Sequence, residues 1–389
     1  MEIITWSISI QSIFESKRFF FKNKFWDQIR EDTTKNVEKV LKCRTNQLGF
    51  VTHKCNDCWE LKHIYFSCKS RFCNSCGKRA SDLWMNNLTE RRPRWLHYYH
   101  LAFTIPEELR PFFKRHRQTL QLLPRVANDS LQYMFQQKYK LKPWILAVIH
   151  TFWAQLNRNP HVHCIVSSWW INSNNNYQQI RDFIPYELIL SSWKSWLLRA
   201  IRERCFQNLS GQRLDKEIKL IGMLYQQKNN KEKEKSRYIY FSKKAESFQR
   251  VSSYIGRYLK RPVISQSRIL DHHKWEVMYS YKDKYDNITK NNIVSTEDFI
   301  GLLIQHIPWK GFPMIYYYGI FANRCKWKYL SIIESHFHYE ERKKVHPKLL
   351  AERIYQFTWR DIFLCSCWGT FCRRKRTIPW YRPYYYDDS

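Results

Sequence analysis

At 389 residues, with 44% hydrophobic and 26% charged side chains, the chain is long enough for two or three packed domains and too apolar to be disordered. Its 66 Lys and Arg against 34 Asp and Glu leave a formal charge of +32, a self-repulsion that a polyanionic partner relieves. Lys17, Arg18 and Lys22 interrupt the aromatic N-terminus and no run of about eighteen apolar residues exists, which excludes a membrane-spanning helix and a secretory leader and points to nucleic acid, in the cytoplasm, as the partner.

The first predicted element is a helix over residues 26–42, leading into a cysteine-rich window. Six of the twelve cysteines fall between Cys43 and Cys76, where even scattering would put about one. Cys55-Asn-Asp-Cys58 and Cys73-Asn-Ser-Cys76 form two C-x-x-C pairs separated by fourteen residues. A two-residue gap lets both thiolates of a knuckle face one ion, and two knuckles complete a tetrahedron, so Cys55, Cys58, Cys73 and Cys76 are expected to hold one structural zinc. Gly77 is expected to take a positive φ at the end of the second knuckle. Cys43 and Cys68, with His53 and His63 nearby, are left to form part of a second site or to exchange into the first. Lys54, Lys62, Lys69, Arg71, Lys78 and Arg79 suit contact with phosphate.

A second helix is expected from Ser81 to the Arg91-Arg92-Pro93 break, and a buried strand over Trp95–Ile105 with His97, Tyr99, Leu101 and Phe103 on one face. Thr104–Glu108, with an early Pro and two acids, starts a helical pattern reaching about Lys140. Strands follow at Trp144–Trp153 and His161–Trp169, joined by the polar turn Asn157–Pro160. Tyr186–Arg204 is amphipathic, Lys228–Arg237 is a charged loop, Tyr238–Phe241 is a short strand, and Ser247–Arg261 is a helix stopped by Pro262. Strands alternating with helices over residues 95–282 indicate an α+β or α/β sheet domain. Beyond Gly311 the chain is aromatic and basic, with no assigned fold.

Two elements carry chemistry. His161 and His163, two apart on a strand, share a face and can share a cation. Fourteen histidines make such pairs common, and His336/His338 is another. Tyr254 and Tyr258 lie on the shoulder of a helix whose apolar stripe is Phe248, Val251, Ile255 and Leu259, with Arg257 and Arg261 further round the same side. A tyrosine beside two guanidiniums suits attack on a phosphodiester, because the cations bind the phosphate and favour the phenolate. An ordinary boundary tyrosine is the bland alternative.

The cysteine module ending in SCKSRFCNSCGKR, and the segments HLAFTIPEELR, LNRNPHVHCIV, YIGRYLKRPVIS and HIPWKGFPMIYYYGIFANR, occur in an order that resembles the HUH-endonuclease rolling-circle transposases of the insertion-sequence-91 type. The likeness covers about residues 35–325. It implies a ferredoxin-like palm, with His161 and His163 holding magnesium or manganese that polarises the scissile phosphate. It also implies that Tyr254 and Tyr258 act as nucleophiles forming 5′-phosphotyrosine links; beside them, Arg257, Lys260 and Arg261 are expected to bind the phosphate by their charge. His150, ahead of Gln155, is the candidate third ligand.

The implied organisation is an N-terminal helix and zinc module at 1–92, a catalytic domain at 93–325 and a basic aromatic tail at 326–389. Single-stranded or hairpin ends of the protein's own element are the implied substrate. Trp153 departs from the pattern where a small residue is expected, and Cys365-x-Cys367 and Cys372 resemble only loosely the family's occasional terminal cysteine pair. A replication initiator, a non-catalytic zinc-dependent DNA-binding protein and a metallohydrolase using water are the other readings.

Overall fold

The computed structural model describes residues 8–17, 29–90, 97–140, 143–171, 177–179, 185–226, 239–241, 246–247, 263–273, 275–283, 286–319, 322 and 364–377. The N-terminal part holds helices α1 (Ile10–Ser16) and α2 (Glu31–Leu41), a hairpin of β1 (Phe50–Cys55) and β2 (Leu61–Tyr65), and helix α3 (Asn74–Glu90). Ser9 caps α1, its hydroxyl accepting from the Ser12 amide at 3.0 Å. Gly77 does not take the expected positive φ: it sits in the first turn of α3, its amide donating to the Cys73 carbonyl at 2.7 Å.

The central sheet begins with β3 (His97–Thr104). The helix expected to run on to Lys140 is divided into 3-10 turns, a short α4 (Arg110–Arg115) and α5 (Leu122–Tyr139). Proline decides the division: Pro111 and Pro124 each lie in a first turn, where a missing amide is tolerated, and each would break a continuous helix. Strands β4 (Ile145–Phe152) and β5 (Arg158–Ser167) form the next hairpin, followed by the short pair β6 (Trp169–Ile171) and β7 (Tyr177–Gln179). Helices α6 (Tyr186–Asn208) and α7 (Gly211–Gln226) lead to β8 (Ile239–Phe241) and β9 (Glu246–Ser247).

A second, three-stranded sheet comprises β10 (Ile269–His272), β11 (Glu276–Lys282) and β12 (Thr289–Ser295), and helix α8 (Thr296–Ile304) follows it. Strands β13 (Ile315–Tyr318) and β14 (Phe371–Thr377) complete the described elements.

The central sheet has the order β13-β4-β5-β3-β8, with β9 also on β3, and every pairing is antiparallel. Along the chain, β3, α5, β4, β5, α6 and β8 make two crossovers around one hairpin, a split βαβ arrangement. One face is apolar because residues two apart on each strand share it. Leu101 and Phe103, Ala147 and Ile149, and Val162, Cys164 and Val166 pack there with Leu131, Phe135, Trp193 and Leu197 from α5 and α6. Trp193 is fully buried, its ring 4.9 Å from that of Phe103 and its indole donating to the Thr104 carbonyl at 3.1 Å.

Segments distant in the sequence share a core. A second core joins α1, α2 and four cysteines of the N-terminal module to Val277, Tyr279, Phe299 and Leu303 from the second sheet and α8. Arg30 donates to the Ile307 carbonyl at 2.6 Å, and Asn74 to Gln266 at 3.2 Å, across the same seam. β14 pairs with β1 along Phe50–Cys55, so the last described segment belongs to the first sheet. Among the described residues no helix is long and apolar enough to cross a membrane.

Candidate functional site

The face of the central sheet away from α5 and α6 carries histidines. His150 on β4 stands directly opposite His161 on β5, and alternation puts His163 on the same face. One ring nitrogen from each lies within 4.8 Å of the others, and ring centroids are 5.2 Å (His150–His161), 4.4 Å (His150–His163) and 4.9 Å (His161–His163) apart. Burial holds His161 down to about 4, and pushes His150 and His163 well below the usual imidazole range.

All three rings are therefore neutral at physiological pH, the state in which imidazole ligates a metal. His161 Nδ1 lies 2.8 Å from the Asn159 carbonyl, which leaves its Nε2 for an ion. The structure thus brings together His150, His161 and His163. Gln155, the other candidate, sits instead in the β4–β5 turn, where its Oε1 accepts from Asn157 at 3.3 Å. Trp153 lies over one side of the site, its ring 25° from the plane of His161 at 6.0 Å.

His100 is a further histidine at this site. It lies on β3 beside this face, Nε2 to His163 Nδ1 at 2.8 Å, the two rings nearly parallel at 5.0 Å. The signal for it was alternation: the apolar set Tyr99, Leu101 and Phe103 sends His100 to the opposite face. Tyr254, Tyr258, Arg257, Lys260 and Arg261 lie outside the described residues.

The cysteines regroup. Cys55, Cys58, Cys73 and Cys76 do not share a site. Cys73 and Cys76, at the start of α3, meet Cys43 and Cys68, with Sγ–Sγ distances of 3.7 Å (Cys43–Cys76), 3.6 Å (Cys68–Cys76) and 3.8 Å (Cys43–Cys73). A zinc tetrahedron with Zn–S near 2.3 Å has edges of about 3.8 Å, and these distances fit it. Cys55 and Cys58 lie at the other end of the β1–β2 hairpin, with Cys365 and Cys367. The five residue steps along β1 span about 17 Å at roughly 3.4 Å each, too far for one ion to serve both ends. Two regular C-x-x-C pairs suggested one site because spacing shows which thiols are local to each other, but not what the hairpin places between them.

Comparisons with known proteins decide the family. A family model described as "Putative transposase" matches residues 145–328, and one described as "Transposase zinc-binding domain", of the IS91 type, matches residues 13–105. The chain is 30% identical over 347 residues to the transposase for insertion sequence element IS801 of Pseudomonas savastanoi pv. phaseolicola, covering 85% of this chain and 80% of that one. The chain belongs to the IS91 family of transposases. It is also 27% identical over 308 residues to "Putative transposase y4qJ" of Sinorhizobium fredii, covering 73% of each. No solved structure matches it. As a transposase it binds and cleaves DNA, which accounts for the charge of +32. The zinc-binding match spans Cys43, Cys68, Cys73 and Cys76, and with their geometry supports a structural zinc in this transposase.

Proposed function

We propose that this transposase nicks and rejoins single-stranded DNA at the ends of its own element, acting in the bacterial cytoplasm, by rolling-circle chemistry. The observation that carries the reading is the cluster of His150, His161 and His163 on the sheet face away from α5 and α6. The strand order supports it: with β3, β4, β5 and β8 counted as one to four, the sheet reads 4-1-3-2, the ferredoxin-like order of an HUH palm, with the paired histidines on the third strand.

Tyr254 and Tyr258 are the nucleophiles. The phenolate oxygen attacks phosphorus, the bond to the 3′-oxygen breaks, and that oxygen leaves as a hydroxyl after taking a proton. The 5′-phosphate stays on tyrosine, so bond energy is retained for rejoining. Arg257, Lys260 and Arg261 hold the phosphate. The three imidazoles would hold a divalent cation, which supplies Lewis-acid polarisation of the scissile phosphate when bound. Three nitrogen donors suit manganese better than magnesium, which prefers oxygen ligands. The neutral state of the rings keeps these lone pairs available without competition from protons.

The deciding experiment incubates purified protein with 5′- and 3′-labelled single-stranded oligonucleotides from the element's ends, with manganese, magnesium or EDTA. A metal-dependent, protease-sensitive adduct on the 5′-phosphate side, lost in Tyr254→Phe/Tyr258→Phe, is the expected result. Full cleavage by the double variant would sink the tyrosine mechanism. Binding without cleavage of the correct ends would leave a DNA-binding protein.

A further inference from the structure

The second cysteine cluster joins parts of the chain more than 300 residues apart, and neither family match reaches Cys365 or Cys367. Cys55 Sγ lies 3.5 Å from Cys367 Sγ, and Cys58 Sγ lies 3.5 Å from Cys365 Sγ. These distances are far from the roughly 2.05 Å of a disulfide and close to the edge of about 3.8 Å of a zinc–thiolate tetrahedron.

The two cysteine pairs sit on similar hairpin tips. Cys58 is followed by Trp59 at φ 68°, and Cys367 by Trp368 at φ 71°. A bulky residue in the left-handed region directly after the second cysteine occupies the position that a zinc knuckle gives to glycine. The Cys55 amide donates to the Glu60 carbonyl, five residues on, at 2.9 Å, and the Cys365 amide to the Gly369 carbonyl, four residues on, at 2.8 Å, closing each tip.

The tips interlock. The Asn56 amide donates to the Thr370 carbonyl at 3.1 Å, and the Gly369 amide points at Cys367 Sγ at 3.4 Å. A Cβ at Gly369 would lie 2.6 Å from Cys55 Sγ, so only glycine admits the second strand this close to the sulfur. Glu60 lies at the edge of the cluster, its Oε2 accepting from Cys365 Sγ at 2.9 Å.

We propose that Cys55, Cys58, Cys365 and Cys367 bind a second structural zinc, which clasps the C-terminal strand to the N-terminal module. β14 then lies along β1 through six register pairs, from Phe50 opposite Thr377 to Cys55 opposite Phe371. The sequence of this strand is Phe-Cys-Arg-Arg-Lys-Arg-Thr, with four basic residues. Strand pairing and metal act together, because zinc at the tip fixes the register that the ladder continues.

Two experiments test the clasp independently of any cleavage activity. The first treats native, zinc-loaded, full-length protein with N-ethylmaleimide and maps the modified cysteines by mass spectrometry. Cys58 and Cys367, both exposed at the tips, should be protected together, and both should react once a chelator is added. Reaction of Cys367 in the zinc-loaded protein while Cys58 stays protected overturns the proposal, as does a disulfide between the tips. The second measures zinc per chain in Cys365→Ser/Cys367→Ser, which should fall by one ion relative to wild type. Unchanged zinc content in the folded variant also overturns it. Should that variant not fold, the alkylation of wild type decides alone.

Discussion

His100 Nε2 and His163 Nδ1 lie 2.8 Å apart, from neighbouring antiparallel strands, on the side of the sheet that carries the three candidate ligands. For His163 to offer Nε2 to a cation, its Nδ1–H must donate to His100, so His100 fixes both the tautomer and the ring angle. Burial first, then the nearby His161, hold His100 down to about 4, and it stays neutral and able to accept that hydrogen.

Replacing His100 should therefore weaken metal binding without unfolding the sheet. His100→Ala is expected to raise the manganese concentration for half-saturation by about 10–100-fold, the range for lost outer partners of metal-bound histidines. Titration followed by electron paramagnetic resonance measures it, and His100→Asn should recover part of the loss. An unchanged manganese affinity in His100→Ala would refute the positioning role.

Cys73 and Cys76 belong to the same core as Ile13, Phe72 and Phe299, so losing their metal exposes more than a loop. Structural zinc contributes roughly 10–16 kcal/mol in small modules, against a total stability of about 5–15 kcal/mol for a domain. Cys73→Ser should lose zinc and melt the N-terminal module together with the second sheet. Zinc analysis beside thermal unfolding followed by circular dichroism will show whether both are lost at once.

His306 is buried between β4 and the following turn, Nδ1 3.0 Å from Thr151 Oγ1 and Nε2 2.9 Å from the Leu156 carbonyl. Burial pushes it down to about 3, against roughly 6.5 in an unfolded chain. Below pH 6.5 the unfolded state binds the extra proton, so this contribution is complete above about pH 6.5 and is lost as the pH falls towards 3. At about 1.4 kcal/mol per pKa unit the effect is a few kcal/mol. Urea midpoints between pH 7 and 4 should fall less steeply in His306→Gln than in wild type, and parallel slopes would contradict the assignment.

Trp193 joins α6 to the strand that carries His100 through ring packing on Phe103 and a hydrogen bond to Thr104. Trp193→Ala should cost about 3–5 kcal/mol by leaving a cavity, and should leave the zinc content unchanged because the cysteine sites lie in other cores. Denaturant midpoints and metal analysis on the same sample separate the two effects.

Alternation and local spacing determined much of this protein from the sequence by itself. The strands around His100, His150 and His161–His163 were legible because a residue's face follows from its position two steps away, and that rule needs no tertiary contact. The pairing of His150 with the other two was legible as a hairpin register. The cysteine grouping was not, because a thiol's partners depend on which ends of β1 and α3 meet other parts of the chain. Cys43 and Cys68 complete a site with Cys73 and Cys76 only because α2 and the loop after β2 return to the start of α3. Cys365 and Cys367 reach Cys55 and Cys58 only because β14 adds to the edge of β1, a contact across most of the chain. Tertiary structure alone decided which four sulfurs stand within one tetrahedron, since sequence distance says nothing about the separation of residues once the backbone has folded between them.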